Sequence, residues 1–421
     1  MSDEAAMETV EEFRARARAF IQEHIPMATL PQAPGQESDE EELADVARNR
    51  ELQRLMFDGG LAGIIVPKEY GGQGLTPEHA RVLNEEMAGR AYPHRFQVPT
   101  FTPCMAVILE FGTEEQKRKH VPAILRGEEI WMQMLSEPSG GSDVAGAQTS
   151  AVRDGDEWVL NGSKIWTTGA WWADWALCLA RTNWDVPKHR GLTVFMVPFN
   201  TPGIEMHRIE MLNGSKEFCQ EFLTDVRIPD SYRIGDVDDG WTVGIRWMFH
   251  ERSLHNSPYV LRPAGARFLG EAEGRGSGLM SLAIRAGRRD DPLARELVGE
   301  AHALSAASTH LARRLPKLMA ARKVTDQAAS MGRLMAGMVS RRTTTIRWQL
   351  SGATAGAWTE DDHAVGSHGI GFLMRQTGEI AGGTTEMARN VVAERVLGMP
   401  RERTLDRDVA FREVPKGPPA S

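Results

Sequence analysis

Residues 131–149 read WMQMLSEPSGGSDVAGAQT, and residues 161–169 read NGSKIWTTG. The first stretch is a hydrophobic run that leads through a Ser-Glu-Pro sequence into a loop of small residues closed by Ser142 and Asp143. Such a loop presents backbone N–H groups and hydroxyls with little side-chain bulk, which suits the edge of a planar heteroaromatic ring and an adjacent phosphate. The second stretch begins with an Asn-Gly turn and continues as an alternating strand, on which Trp166 can flank a flat cofactor.

The pattern around these motifs changes twice along the chain. Helical periodicity dominates residues 1–130 and returns over 237–402, whereas residues 131–236 contain short alternating or apolar runs with turn signals about every 8–12 residues. Residues 403–421 are charged, contain Pro and Gly, and are expected to form a flexible tail. This order predicts an α+β fold with an N-terminal helical domain, a middle β domain and a C-terminal helical domain.

Local signals place several helices in the first domain. Thr76 followed by Pro77 predicts a capped helix start, and Thr113 with Gln116 predicts a capping box for a helix over 114–126. Residues 102–111 are also predicted to be helical.

Composition excludes several classes of protein. The 421 residues are 41% hydrophobic and 25% charged with a net charge of −8, which is ordinary for a globular protein and unlike a basic nucleic-acid binder. Cys104, Cys178 and Cys219 lack CxxC spacing, so we expect three buried thiols rather than a disulfide framework or a zinc site. The N-terminus lacks the features of a signal peptide, and no stretch approaches the ~20 apolar residues of a membrane span. We therefore expect a cytoplasmic protein.

The two motifs resemble the flavin-binding signatures of the acyl-CoA dehydrogenase family, a TEPGAGSD loop followed by an NGxKxWITN strand. The resemblance spans nearly the whole chain and includes GLAGIIVPKEYGGQGL (60–75), FGTEEQKRKHVPAILRGE (111–128) and TTEMARNVVAERVLGMPRE (384–402). It implies a C-terminal four-helix bundle, an FAD cofactor, and oxidation of an acyl-CoA to a trans-2-enoyl-CoA in lipid β-oxidation. It also implies an electron-transfer flavoprotein as partner and a dimer or tetramer, homomeric or heteromeric.

The resemblance also implies cofactor contacts. The backbone around residue 135 would meet the pyrimidine end of the flavin, Trp166 would lie against the ring, and QLSG at 349–352 would reach the cofactor of a neighbouring subunit. The implied set is Met134, Leu135, Ser136, Gly141, Ser142, Trp166, Thr167, Thr168, Gln349, Gly352, Thr384 and Glu386. The family's Arg–Phe–Gly stretch, whose Arg binds the pyrophosphate across the dimer, is missing from 285–305, where the candidate replacements are Arg285, Arg288 and Arg295.

The catalytic base is not where many family members carry it. Gly382 occupies the position of the Glu in the family's YEGT motif. Branched-chain and long-chain members instead place a Glu before an Arg on an earlier helix, which corresponds here to Glu251-Arg252. The resemblance therefore implies Glu251 as base, with a solvated surface glutamate as the alternative reading. The Gly382 N–H is expected to polarise the thioester carbonyl.

The remaining expectations concern the surroundings of Glu251. Substrate contacts are expected from Ser142, which would meet the CoA arm, and from Arg252 and Gly383. An apolar face of the Glu251 helix is predicted, and His250 and His255 are expected to be packing or surface residues; the face comprises Trp241, Ile245, Met248 and Phe249.

Two other functions share this fold. One is a flavin monooxygenase or oxidase, which also lacks the YEGT glutamate and uses oxygen. The other is a non-catalytic subunit of a heteromeric acyl-CoA dehydrogenase, consistent with the missing Arg–Phe–Gly stretch. The acyl group is not specified by the sequence, although use of Glu251 favours a branched, bulky or long chain by resemblance.

Overall fold

The computed structural model describes residues 7–28, 38–252, 257–263, 277–357, 363–401, 404 and 406–415. The first domain is helical, and its helices begin at the predicted caps: the Thr113 hydroxyl accepts a hydrogen bond from the Gln116 N–H at 3.2 Å, and Thr76 precedes Pro77. The helices are α1 (Val10–His24), α2 (Asp39–Asp58), α3 (Pro77–Glu86), α4 (His94–Phe96), α5 (Ala106–Phe111) and α6 (Glu114–Leu125).

The prediction of one continuous helix over 102–111 is wrong at its start. Residues 97–105 form an irregular wound segment in which Val98 and Thr102 have extended backbone angles, and regular helix begins only at Ala106. Pro103 lacks an N–H and disfavours helical geometry in the residue before it, which explains the break. All of its residues except Val98 are buried, and the segment packs against β1 and α7.

The middle domain is one mixed sheet. Its strands follow the order β6-β7-β3-β2-β4-β5-β8, and β1 pairs in parallel with β4. The strands are β1 (Trp131–Met134), β2 (Ser150–Asp154), β3 (Glu157–Thr168), β4 (Trp175–Arg181), β5 (Leu192–Pro198), β6 (Ile204–Ile209), β7 (Phe218–Pro229) and β8 (Arg233–Ile234). A register shift between β3 and β7 falls between Ile165 and Thr167, so Trp166 bulges out of the ladder with a φ of +68°.

The C-terminal domain confirms the predicted helical bundle. Helix α10 packs against α8, α9, α11 and α12, whereas α7 packs on β5 of the sheet and on the segment 97–105. Its helices are α7 (Gly240–Arg252), α8 (Ser277–Arg285), α9 (Pro292–Ala320), α10 (Ala329–Ser351), α11 (His363–Met374) and α12 (Thr385–Val391). Within the described ranges, no helix combines the length and the apolar character that crossing a membrane requires. The three cysteines are unpaired and buried.

The prediction of a flexible tail is wrong for residues 406–415, which dock on the middle domain. Phe411 is 2% exposed, and its N–H donates to the carbonyl of Val186 at 3.0 Å. The Arg181 guanidinium lies 3.7 Å from the Phe411 ring centroid, a favourable cation–π contact. Lys188 joins Asp406 of this segment to Asp143 of the small-residue loop, with ion pairs of 2.8 and 2.9 Å.

Candidate active site

Helix α7 carries Glu251 and packs on the sheet through small residues at its start. A side chain at Gly240 would come within 2.6 Å of the backbone of Thr193 on β5, so only glycine permits this approach. The predicted apolar face is wrong, because Ile245 is 50% and Phe249 37% exposed. The residues that are buried lie on another face of the helix: Gly240, Val243, Gly244, Trp247 and His250.

His250, expected to be a packing or surface residue, is buried and hydrogen-bonded. Its Nε2 lies 2.7 Å from a carboxylate oxygen of Glu110 on α5, and the same carboxylate pairs with Arg246 at 2.7 Å. The Thr102 hydroxyl donates to the His250 carbonyl at 3.4 Å. These contacts fix the last turn of α7, and therefore the direction in which Glu251 leaves it. His255 lies outside the described residues.

Glu251 is half-buried at the end of α7 rather than fully solvated. Burial raises the pKa of its carboxyl, and the positive charges of Arg252 and Arg333 together with a hydrogen bond from Gln133 oppose that rise. The Cys104 thiol faces the same carboxylate, and burial followed by the charge of Glu251 raises the pKa of that thiol. A raised carboxyl pKa is one property that a general base requires.

The turn predicted to contact substrate lies directly beside Glu251-Arg252. Arg252 Nε donates to the carbonyl of Gly382 at 3.2 Å, and Arg333 Nε on α10 donates to the carbonyl of Ala381 at 3.1 Å. Gly382 and Gly383 have φ values of +69° and +94°, which favour glycine. The structure thus brings Glu251, Arg252 and this turn together, although they are about 130 residues apart in the chain.

The small-residue loop after β1 is anchored by a buried ion pair. Lys164 on β3 is fully buried, and its Nζ lies 2.8 Å from a carboxylate oxygen of Glu137. The same carboxylate accepts from the N–H groups of Gln148 and Thr149 at 2.6 and 2.9 Å. Burial favours the neutral form of Glu137, but Lys164 and these N–H groups outweigh it and lower its pKa. The loop and β3 are therefore held in one fixed arrangement.

Side chains around this loop fit an FAD, with one exception. The hydroxyls of Ser136, Ser142 and Thr168 make no hydrogen bond to any described residue and remain available to a ligand. A side chain at Gly141 would meet only the Ser136 hydroxyl, at 3.8 Å, so the loop has an open outer surface. The Thr167 hydroxyl is instead buried and donates to Glu221 at 2.8 Å, which leaves only its backbone for a cofactor.

Trp166 on β3, which is predicted to lie against the flavin ring, is exposed enough to contact a ligand. Trp166 is 50% exposed, and its ring packs edge-on against Phe218 with centroids 5.8 Å apart. Phe218 therefore supports the indole on one side, and the rest of the ring is accessible to a ligand. Met134 is fully buried and Leu135 is half-buried, so these two residues can contribute backbone groups but little side-chain surface.

Gln349 and Gly352 do not reach this site within one chain. They lie at the end of α10, and the 16 residues that separate Gln349 from Arg333 correspond to about 24 Å of helix. Arg288, one of the three candidate replacements for the missing arginine, donates to the Gln349 carbonyl at 2.7 Å. Within the described part of the chain, these residues form a second group, and their contact with the cofactor of a neighbouring subunit remains a prediction.

Thr384 and Glu386 continue the turn beside Gly382. The Thr384 hydroxyl caps α12 by accepting from the Met387 N–H at 3.1 Å. The exposed Glu386 carboxylate accepts from the Thr385 hydroxyl at 3.1 Å. Both side chains therefore have local structural roles at the start of α12, and their predicted contact with FAD remains a prediction.

Sequence reasoning missed three residues of the site. Gln133 was detectable as the one polar residue in the strand WMQM, and Trp247 as the residue one helical turn before Glu251. Arg333 lies on a helix far along the chain, and no local signal identifies it.

Comparisons with known proteins agree with this architecture. Residues 7–128 match the family model described as acyl-CoA dehydrogenase, N-terminal domain, and residues 133–226 match the model of the middle domain. The chain is 31% identical to the acyl-CoA dehydrogenase IpdE1 of Mycolicibacterium smegmatis, covering 93% of this chain and 98% of the relative.

Solved structures show the same fold. A structure named Tcur3481-Tcur3483 steroid ACAD is 28% identical with a TM-score of 0.71, covering 93% of this chain and 98% of the other. The ChsE4-ChsE5 complex from Mycobacterium tuberculosis is 24% identical with a TM-score of 0.68, and the match covers 95% of this chain and 100% of the matched chain. At this identity the similarity supports the fold alone.

Proposed function

Since the chain belongs to the acyl-CoA dehydrogenase family, we propose that it oxidises an acyl-CoA thioester to the trans-2-enoyl-CoA with Glu251 as base. Glu251 takes the α-proton, the β-carbon loses a hydride, and a carbon–carbon double bond forms between them. Relatives of this family are flavoproteins, and FAD, when bound, supplies the hydride acceptor.

One observation carries this proposal: Glu251 is half-buried beside the Gly382-Gly383 turn and adjoins the strand that leads into the cofactor loop. A base must lie next to the α-carbon while the β-carbon faces the acceptor, so the base and the cofactor loop must be neighbours. Gln133 supplies that link, because it accepts a hydrogen bond from Trp247, one helical turn before Glu251, and lies immediately before Met134 on β1.

The surrounding residues have separable roles in this scheme. Arg252 holds the carbonyl of Gly382, which orients the turn so that its N–H groups can bind the thioester oxygen. In this proposal Ser142, which is exposed on the loop, contacts the CoA arm, and Ser136, Trp166 and Thr168 contact FAD. The buried surroundings of Glu251 exclude water, and this keeps its carboxylate basic.

We propose further that the acyl group is bulky, with a steroid-like thioester as the first class to test. The similarity to the structure named steroid ACAD supports this choice. An electron-transfer flavoprotein is the proposed electron acceptor, as the resemblance implies.

The proposed assembly contains at least two subunits. Gln349, Gly352 and Arg288 form a group about 24 Å of helix away from Arg333, so one chain does not gather both parts of a cofactor site. The same observation favours a second candidate function, in which this chain pairs with an unlike subunit and shares the cofactor with it.

The test is anaerobic mixing of the purified protein with straight-chain, branched and steroid-like acyl-CoAs while the flavin absorbance is recorded. The native protein is expected to bleach with one substrate class, and Glu251→Gln to lose about 10²- to 10⁴-fold in rate. Glu157→Gln is the matched control, because this exposed carboxylate on β3 pairs with Arg227 at 3.1 Å and contacts no residue of the site.

Other outcomes separate the alternatives. Unchanged bleaching in Glu251→Gln contradicts the assignment of the base. Bound flavin that no thioester bleaches, but that oxygen reoxidises rapidly once chemically reduced, indicates the monooxygenase or oxidase function. Protein that binds flavin only after a second chain is added indicates the heteromeric function.

A further inference from the structure

Gln133 is a polar residue in an otherwise apolar buried strand. Its neighbours on β1, Met132 and Met134, are 1% and 0% exposed, and β1 lies against the wound segment 97–105. The Gln133 side chain leaves the strand toward α7 and is half-buried. A primary amide in such a place needs hydrogen-bond partners, since an unsatisfied buried polar group costs free energy.

Trp247 determines which way this amide points. Its indole Nε1 lies 2.6 Å from Gln133 Oε1. Because an indole N–H can only donate, the acceptor oxygen of the amide must face Trp247, and the Nε2 donors must face away from it. Glu251 follows Trp247 by four residues on the same helix and therefore lies on the same face. The Nε2 donors of Gln133 are therefore on the side of Glu251, and the amide lowers the pKa of that carboxyl against the larger effect of burial.

We propose that Gln133 is a positioning residue for the base: its amide, oriented by Trp247, donates a hydrogen bond to the Glu251 carboxylate and holds it ionised and correctly aimed. The proposal rests on the proposed function of Glu251. It assigns no chemistry to Gln133 itself, which acts only through the base.

The direction of the effect follows from hydrogen-bond chemistry. An amide N–H donates well to a carboxylate, but it cannot accept the proton of a neutral carboxyl group. Gln133 therefore stabilises Glu251 before proton abstraction and less so afterwards, and it opposes the burial that raises the pKa of this carboxyl. Among the described residues, the charged or titratable groups facing Glu251 are Arg252, Arg333 and the Cys104 thiol. None of these groups is altered by a change at Gln133.

The experiment measures the rate of anaerobic flavin reduction against pH in holoenzyme variants. Gln133→Leu removes the donor, so the pKa of Glu251 rises and the acidic limb of the profile is expected to move up by about one pH unit. The plateau rate at high pH should change much less, because Glu251 is ionised there in both proteins. Trp247→Phe keeps Gln133 but releases its orientation, and a smaller shift in the same direction is expected.

Gln220→Leu is the matched control, because Gln220 is a half-buried glutamine of the same sheet whose Nε2 donates to the Ser163 hydroxyl at 3.1 Å. Its profile should keep the native midpoint. A Gln133→Leu profile with the native midpoint, or one lowered equally at every pH, overturns the proposal, because the latter is the mark of a purely structural defect. If Gln133→Leu does not retain flavin, the Trp247→Phe profile decides in the same way.

Failure of the proposed function is recognised separately. Activity retained by Glu251→Gln refutes the base, whatever the Gln133 variants do. A Glu251→Gln protein without activity, together with an unshifted Gln133→Leu profile, refutes only the positioning role.

Discussion

Replacing Glu221 by glutamine is expected to remove a pH dependence from the stability of the protein. Glu221 lies on β7 with no exposed surface, opposite Lys164 in the β3–β7 register. Lys164 is bonded to Glu137 instead, so Glu221 has only the Thr167 hydroxyl as a partner, and its Oε1 has none among the described residues. Burial outweighs this hydrogen bond and the charge of Lys164, so the neutral acid is favoured.

The magnitude follows from the pKa. Burial raises the pKa of Glu221 from 4.5 to about 8, which corresponds to roughly 5 kcal/mol of difference between the two protonation states. Between these values the folded protein keeps a proton that the unfolded chain has lost, so the free energy of unfolding falls by about 1.4 kcal/mol per pH unit. The stabilisation is complete below the unfolded pKa and is lost as pH rises through the folded pKa. Between about pH 6 and pH 8 the loss is roughly 2 kcal/mol.

Urea unfolding of the native protein and of Glu221→Gln, followed by tryptophan fluorescence across this pH range, measures the effect. Other titrating groups act in both proteins, so the difference between the two midpoints isolates Glu221. The variant should gain on the native protein as pH rises and the gain should level off above about pH 8. Glu115→Gln, on the surface of α6, is the control and should follow the native curve. Parallel curves for the native protein and Glu221→Gln refute the reasoning.

Two further substitutions test the anchoring of the cofactor loop and the docking of the tail. Lys164→Met leaves the buried Glu137 carboxylate without its cation and should destabilise the protein by about 3–5 kcal/mol in thermal or urea unfolding, with loss of bound flavin. Adding Glu137→Gln to this variant should restore part of the stability. A Lys164→Met protein as stable as the native one contradicts the role of the ion pair. Phe411→Ala should cost about 3 kcal/mol because the ring is buried against Arg181. Arg412→Ala, at an exposed ion pair, should cost less than about 1 kcal/mol, and equal effects at the two positions contradict the docking.

The parts of the fold that sequence predicts well are those determined by neighbouring residues. Thr113 and Gln116 form the expected capping box because both lie in one turn. The change from helical to alternating patterns near residue 130 also locates the sheet, since each period depends only on a short stretch.

Errors occur where distant contacts decide the structure. The buried face of α7 was mispredicted because large apolar residues occur all around this helix, and the close approach of Gly240 to Thr193 selects the buried side. The docking of Phe411 depends on Arg181, which lies 230 residues earlier in the chain. The hydrogen bond between Gln133 and Trp247 likewise joins β1 to a helix of another domain, and a local pattern contains no information on that pairing.

The central claim is that Glu251 removes the α-proton, and hydrogen exchange at the α-carbon tests it most directly. A 3-thia-acyl-CoA, whose β-position is sulfur and cannot release a hydride, is incubated with holoenzyme in D₂O, and incorporation of deuterium at the α-carbon is followed by NMR. The native protein and Glu157→Gln are expected to catalyse exchange, and Glu251→Gln to lose it by about 10²-fold or more. Exchange by Glu251→Gln at the native rate would contradict the assignment of the base.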